Sequence, residues 1–122
     1  MRSITIAPPN SLIFVEDAKG GEPPDDVAAG PTIIATDSCI AVCCLAQIDG
    51  PTKITIGPAQ EVDPGRHPEF DGVLETPSGM VTVTTVELKK VLEEKVSSLR
   101  TRVRIWMNRL KQPDDVVIGL GQ

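Results

Sequence analysis

Residues 32–48 read TIIATDSCIAVCCLAQI, and this stretch determines the fold class that we expect. It is the longest nearly uncharged run in the chain, and Asp37 is its only charged residue. Isoleucine, valine and leucine stand among alanine and cysteine, a composition typical of segments that are buried in a folded core. We therefore predict that the run forms the buried centre of a β-protein, with strands added on either side.

Shorter segments on both sides alternate apolar and polar residues, which is the pattern of a strand with one buried face. These predicted strands are residues 3–7, 11–17, 52–57, 71–76 and 80–86. The turn sequences DGP at 49–51 and PSG at 77–79 predict two hairpins, since candidate strands flank both of them. Residues 18–31 and 58–70 are long loops that contain glycine, proline and acidic residues.

Residues 86–111 allow two interpretations. Apolar residues recur there at heptad spacing, which favours a long amphipathic helix: Leu92, Val96, Leu99, Val103, Trp106 and Leu110. In the other interpretation residues 102–108 alternate as a strand and form a hairpin with residues 116–120. We predict an all-β fold, an antiparallel two-sheet β-sandwich with long crossing loops, as a single domain over residues 1–122. The alternative is an α+β fold with a helix over residues 86–111.

The net charge is −5, and it is distributed unevenly. Residues 1–85 carry 12 acidic and 4 basic side chains, whereas residues 86–122 carry 5 acidic and 8 basic ones. An acidic chain is repelled by phosphate, and this one has few aromatic rings on which bases could stack. We therefore expect no nucleic-acid partner, and we expect a basic protein partner instead.

The chain lacks the sequence features of a membrane or exported protein. No apolar run reaches the ~18–20 residues that span a bilayer, and the first 15 residues lack the apolar core of a secretory signal. We expect a cytoplasmic protein without a membrane partner.

The three cysteines are Cys39, Cys43 and Cys44. An odd number within six residues does not make a disulfide framework, and paired CxxC units of a zinc site are missing. We interpret the cysteines as small buried apolar residues. On a strand, Cys39 and Cys43 would lie on one face and Cys44 on the other.

The order of the segments resembles a known family. SITIAPPNSLIFVED (3–17), a loop with proline and aspartate, and TIIATDSCIAVCCLAQ (32–47) resemble the first half of the competence-associated nuclease-inhibitor family. MVTVTTVELKKVLEEKV (80–96), TRVRIWMN (101–108) and VVIGL (116–120) follow the order of that family's late strands. This resemblance is one of pattern over most of the chain. It implies a non-enzymatic β-sandwich that binds a nuclease and blocks it.

Three groups of residues are candidates for contact with a partner: Asp25, Asp26, Asp63, Glu69, Asp71, Arg102, Arg104 and Trp106. The first two are acids of the first long loop, next to prolines that hold the chain extended. The next three lie in or beside the second long loop. The last three share one face of a predicted strand, as in an interface hot spot. In an alternative interpretation of that face, the arginine stems cover a half-buried tryptophan.

The sequence contains no nucleophile elbow, phosphate-binding glycine loop or established metal-binding motif. We therefore predict no catalytic residue, no metal and no cofactor, and a protein-binding module such as a nuclease inhibitor or an immunity-like protein. One alternative is a loop-borne metal-binding or enzymatic site around His67, where an imidazole stands near carboxylates. Another is a structural subunit that forms homo-oligomers through residues 86–111.

Overall fold

Ten strands form two packed sheets in the computed structural model, which describes residues 1–25 and 32–121. The strands are β1 (Arg2–Ile6), β2 (Leu12–Asp17), β3 (Ile33–Ala35), β4 (Cys39–Cys43), β5 (Thr52–Pro58), β6 (Phe70–Glu75), β7 (Met80–Thr85), β8 (Lys90–Lys95), β9 (Arg100–Met107) and β10 (Asp115–Leu120). A four-residue helix, α1 (Ala59–Val62), follows β5. The prediction of an all-β, two-sheet sandwich is confirmed.

The first sheet has the strand order β1-β5-β10-β9-β6, and the second has the order β3-β4-β2-β7-β8. All neighbouring strands are antiparallel except β5 and β10, which run parallel with Ile54 beside Val116. This one parallel pair departs from the antiparallel arrangement that the sequence predicts. The physical reason is the position of β10, which forms a hairpin with β9 and then lies between β9 and β5.

The central run of the sequence is buried, as predicted. Ile40 and Val42 of β4 and Cys44 just after it have 0–3% of their surface exposed. They pack in one core cluster with inward-facing residues of both sheets, among them Ile54 and Ile118. Because side chains alternate across a strand, every second residue of the long strands contributes to this core.

Two of the three predicted hairpins are wrong, since the strands on either side of the 49–51 and 77–79 turns lie in different sheets. β4 belongs to the second sheet and β5 to the first, and β6 and β7 are divided in the same way. Turn residues fix a change of direction but not the sheet that the next strand enters. The third hairpin, β9–β10, is confirmed, with Ile105 paired to Ile118.

Residues 86–111 do not form the alternative helix. They form β8, a turn and β9, and the apolar heptad residues are divided between environments. Leu92 and Val103 are buried, whereas Leu99 and Leu110 are 73% and 68% exposed on turns. The apparent heptad spacing therefore comes from two strands, in each of which apolar residues recur at every second position, with a turn between them.

The cysteines follow the predicted division of faces. Cys44 lies in the core cluster, and Cys39 is fully buried beside Glu16 on β2. Cys43 is half-buried. Burial raises the pKa of the Cys44 thiol to about 12, and burial together with the Glu16 charge raises that of Cys39 to about 12. Both thiols therefore stay protonated and unreactive at neutral pH.

Replacing Cys44 by serine tests this structural role. We expect Cys44→Ser to lower the free energy of unfolding by about 1–3 kcal/mol, because it places a hydroxyl in the core. The thiol lies 3.8 Å from the Val42 carbonyl, and the shorter C–O bond of serine leaves the hydroxyl without that partner. Denaturant unfolding measures the effect, with Cys44→Ala as the apolar control. Rapid labelling of Cys44 by a thiol reagent in the folded protein would contradict its burial.

Asp17 at the end of β2 is a buried carboxylate that stabilises two turns, the one that follows β2 and the one between β6 and β7. Its oxygens accept hydrogen bonds from the Lys19 N–H at 3.0 Å, and from the Ser78 N–H and hydroxyl at 3.0 and 2.8 Å. Burial raises the pKa of Asp17, but these hydrogen bonds outweigh it, so that the pKa lies below its ordinary value. The ionised carboxylate thus fixes the turn that leads from β6 in the first sheet to β7 in the second.

The lowered pKa gives the protein an acid-sensitive component of stability. A carboxylate whose pKa is lowered by folding stabilises the folded state above its unfolded pKa of about 3.9, and the contribution is lost as the pH falls through the folded value. We expect Asp17→Asn to be destabilised at pH 7 and to lose less further stability than wild type on acidification below about pH 4. Urea unfolding at a series of pH values measures both effects. Parallel pH profiles for the two proteins would contradict this role.

Candidate partner-binding surface

The loop after α1, residues 63–69, lies on the outer face of the first sheet and is fastened to β9. The Met107 N–H donates to Glu69 Oε1 at 2.5 Å, and the Arg66 guanidinium donates to the Met107 carbonyl at 2.7 Å. Arg66 also pairs with Glu69 at 2.8 Å. Glu69, which the sequence predicts as a partner contact, therefore holds this loop against β9.

Trp106 lies beneath that loop with only 1% of its surface exposed. Its indole N–H donates to the Arg66 carbonyl at 2.8 Å, and the Arg104 guanidinium lies 5.8 Å from the ring centroid. A Cβ at Gly119 would come within 2.8 Å of the ring and 3.2 Å of Ala59. Of the two interpretations of the arginine–tryptophan row, the structure supports arginine covering a buried tryptophan, so that Trp106 is not an accessible contact in this conformation.

Asp71 on β6 and Arg102 on β9 form a two-pronged ion pair. Arg102 Nε and Nη2 donate to the two Asp71 carboxylate oxygens at 2.9 and 2.6 Å. The hydrogen bonds from Arg102 lower the pKa of Asp71, which is therefore ionised at neutral pH. Both side chains are nearly half exposed, and an incoming partner can therefore reach the pair.

A shallow cleft of about 420 Å³ lies between the loop and β9, and both acidic and basic side chains line it. Its lining includes Asp63 and Asp71 together with Arg66, His67, Arg102 and Arg104. Because Glu69 beside the cleft adds a third acid, this region is not the acidic patch that the loop sequence suggests. Within residues 1–25 and 32–121, no three His, Cys, Asp or Glu side chains converge to hold a metal ion.

An acidic corner lies elsewhere, at the end of the sandwich where the β3–β4 turn meets the end of β6. The Glu75 N–H donates to the Asp37 carbonyl at 2.9 Å, and the Glu22 N–H donates to the Ser38 hydroxyl at 2.9 Å. Asp25 comes three residues after Glu22 in the chain, and on that ground alone we count its side chain with this group. All four acidic side chains are exposed, and none of them is in an ion pair with another described residue. We call Glu22, Asp25, Asp37 and Glu75 the acidic corner.

The structure thus brings two of the three groups of predicted contact residues together. The group from the second long loop (Asp63, Glu69 and Asp71) lies beside the group on β9 (Arg102, Arg104 and Trp106). Asp25 belongs to the acidic corner, and Asp26 lies outside the described residues. Sequence reasoning missed Asp37 and Glu75 as neighbours. They are 38 positions apart in the chain, and only the packing of the two sheets joins them.

Comparison with known proteins supports the fold. No family model matches the chain, and no curated protein matches it in sequence. Its fold is that of a small two-sheet β-sandwich. The crystal structure of ComJ, inhibitor of the DNA degrading activity of NucA, from Bacillus subtilis, superposes with a TM-score of 0.71. That match covers 100% of this chain and 96% of ComJ at 11% sequence identity, and the family resemblance in the sequence thus extends to the tertiary fold.

The described residues also include no helix that is long and apolar enough to cross a lipid bilayer.

Proposed function

We propose that this chain is a non-enzymatic inhibitor that binds and blocks a DNA-degrading enzyme. The observation that supports the proposal most strongly is the fold, which matches a nuclease inhibitor over its whole length. We assign the whole chain to one domain and place it in the cytoplasm, where buried thiols such as Cys39 and Cys44 stay reduced.

The charge distribution favours a basic partner. The net charge is −5, and the acidic corner concentrates unpaired carboxylates at one end of the sandwich. An enzyme that binds DNA presents a basic groove to the phosphate backbone, and such a groove attracts an acidic protein from a distance of about one Debye length, ~8 Å at physiological salt. The paired charges of the cleft over β9 contribute less to this attraction, because Asp71 and Glu69 are neutralised by neighbouring arginines.

An extract of the native host that degrades linear DNA provides the test. Adding the purified protein should lower the rate of degradation, and the immobilised protein should retain the responsible enzyme at low salt. An inert β-sandwich of equal net charge controls for nonspecific acidic binding. If the protein neither lowers the rate nor retains a DNA-degrading activity, the proposed function is wrong.

A further inference from the structure

Each of the two sheets has two edge strands, β1 and β6 in the first sheet and β3 and β8 in the second. An edge strand presents backbone N–H and carbonyl groups that no neighbouring strand binds, and such a row is a template for pairing with another chain. Proteins usually protect an edge with a covering element, a short strand, lysines, prolines or a bulge. The four edges of this protein differ in these protections.

Three of the edges are protected, each in a different way. β1 lies against β8 at one side of the sandwich, where Arg2 pairs loosely with Glu94 at 3.8 Å. β3 is only three residues long. β8 begins with Lys90 and ends with Lys95, and its ladder with β7 has a register shift at Thr84. These strands are therefore poor templates for a further strand.

The β6 edge has none of these protections. β6 has six residues and pairs with β9 in one continuous register, from Phe70 beside Ile105 to Glu75 beside Arg100. It contains neither lysine nor proline, and its charged residues are both acidic. A long, regular and unprotected edge is the type to which proteins with a strand-pairing partner add a strand.

The hydrogen bonds at the end of β6 show which of its backbone groups face outward. The Thr76 N–H donates to the Leu99 carbonyl at 2.8 Å. Because bonded residues alternate along an antiparallel strand, residues 70, 72 and 74 also bond to β9. The N–H and carbonyl groups of Asp71 and Val73 therefore point away from β9, and they bond to no described residue.

The third outward-facing residue of β6 already binds another backbone segment. The Glu75 N–H donates to the Asp37 carbonyl of the β3–β4 turn at 2.9 Å. This bond occupies only the last place of the edge, and the places at Asp71 and Val73 continue the same row. A strand that binds at those two residues would extend this single bond into a ladder and add a sixth strand to the first sheet.

The side chains of β6 disfavour pairing with a second copy of this chain. Asp71 and Glu75 stand two positions before and after Val73, on the same face of the strand. In an antiparallel pair of β6 strands centred on Val73, Asp71 of each copy would face Glu75 of the other. Like charges directly opposite each other destabilise a sheet. The edge therefore suits a strand without acids at the facing positions, as expected on the basic surface of an enzyme that binds DNA.

We propose that β6 binds an exposed strand of the DNA-degrading enzyme, whose backbone pairs with Asp71 and Val73 and extends the first sheet. This inference rests on the proposed function and specifies the surface through which it acts. The acidic corner includes Glu75 at the end of β6, so that the charges that attract the enzyme lie beside the edge that binds it. Main-chain hydrogen bonds then hold the complex.

The variant Val73→Pro tests this pairing. Proline lacks the N–H and places its ring where the incoming strand would lie. Because the Val73 N–H takes no part in the β6–β9 ladder, the variant keeps all bonds of that ladder. The probe is the DNA-degrading enzyme that wild type retains from the host extract. We expect half-inhibition of this enzyme to require about tenfold or more Val73→Pro than wild type.

Ala35→Pro is the matched control on the edge of the other sheet. Ala35 is exposed on β3, and its N–H points away from β4 because the next residue, Thr36, bonds to Cys39. Both variants thus replace one outward-facing N–H by a proline ring and leave the net charge unchanged. Ala35→Pro should inhibit as wild type does, and thermal melts should show that both variants are folded.

Amide hydrogen exchange gives a second measurement that needs no variant. In the free protein the N–H groups of Asp71 and Val73 should exchange faster than those of Gly72 and Leu74, which bond to β9. In the complex with the retained enzyme, exchange at Asp71 and Val73 should slow by about tenfold or more, because each new hydrogen bond must open before the amide exchanges.

Three outcomes would overturn the proposal. If wild type inhibits the enzyme and exchange at Asp71 and Val73 is unchanged in the complex, the pairing is wrong and the proposed function stands. The same holds if folded Val73→Pro inhibits as well as wild type. If wild type forms a dimer that Val73→Pro dissociates, the edge binds a second copy instead. If wild type inhibits no DNA-degrading enzyme, the proposed function fails and this inference fails with it.

Discussion

Replacing Trp106 by alanine is expected to destabilise the protein by about 3–5 kcal/mol, the cost of a large aromatic deletion from a packed site. The indole is 1% exposed and packs against Gly119 of β10 and Ala59 of α1. The Arg104 guanidinium lies over the ring, and the indole N–H donates a hydrogen bond to the Arg66 carbonyl of the loop. Its removal leaves a cavity under the loop and leaves the Arg104 side chain without the ring beneath it. A loss of this size is comparable to much of the stability of a typical small domain.

Denaturant unfolding followed by far-UV circular dichroism measures the effect, because the variant lacks the single tryptophan that fluorescence would report. Trp106→Phe is the matched control, since it keeps a ring over β10 and removes the N–H bonded to the exposed Arg66 segment. We expect a loss of only about 1–2 kcal/mol for it. A Trp106→Ala protein within about 1 kcal/mol of wild type would contradict the role that the structure gives the indole.

Neutralising the acidic corner is expected to slow association with the proposed basic partner by about tenfold at low salt. Electrostatic steering raises association rates by 10–10³, and Asp25, Asp37 and Glu75 are exposed charges without an ion-pair partner among the described residues. The variant Asp25→Asn/Asp37→Asn/Glu75→Gln should also show a flatter dependence of the association rate on salt, with little change in the dissociation rate.

A control variant with the same change in net charge separates local from global effects. Asp49→Asn/Glu61→Gln/Glu87→Gln neutralises three exposed acids outside the acidic corner. Stopped-flow or surface-based kinetics with the enzyme retained from the host extract would compare the two variants. Equal effects would mean that only net charge matters. An association rate that ignores salt and both sets of substitutions would remove the electrostatic support for an inhibitor.

The cleft over β9 gives a different expectation from the acidic corner. Glu69 is held by Arg66 and Asp71 by Arg102, so that substituting Glu69 perturbs the fastening of the loop and substituting Asp71 breaks the ion pair between β6 and β9, in addition to changing the charge. A test of their predicted role in partner binding therefore needs variants whose free energy of unfolding equals that of wild type, because removal of the charge alone also changes stability. Asp63, whose carboxylate accepts a hydrogen bond from the Gly65 N–H at 2.7 Å, shapes the turn of the same loop.

The sequence by itself determined the fold class, the buried run and most of the strands. Alternating apolar residues specify strands through the period of two, and an uncharged run such as residues 39–44 has no stable place outside a core. The same reasoning placed Cys44 inside and identified β9–β10 as a hairpin. These features depend on local patterns, which is why they could be predicted without the tertiary structure.

Only the tertiary structure decided which strands share a sheet, because turn chemistry at 49–51 and 77–79 is the same for a hairpin and for a crossing between sheets. It also resolved the heptad of residues 86–111 into two strands, because burial of Val103 in the shared core outweighs a helical seam that had no partner. The surfaces followed from this packing. The loop over β9 buried Trp106 and neutralised the acids around it, while Asp37 and Glu75 met at a corner through contacts between residues far apart in the chain, which a local pattern does not encode.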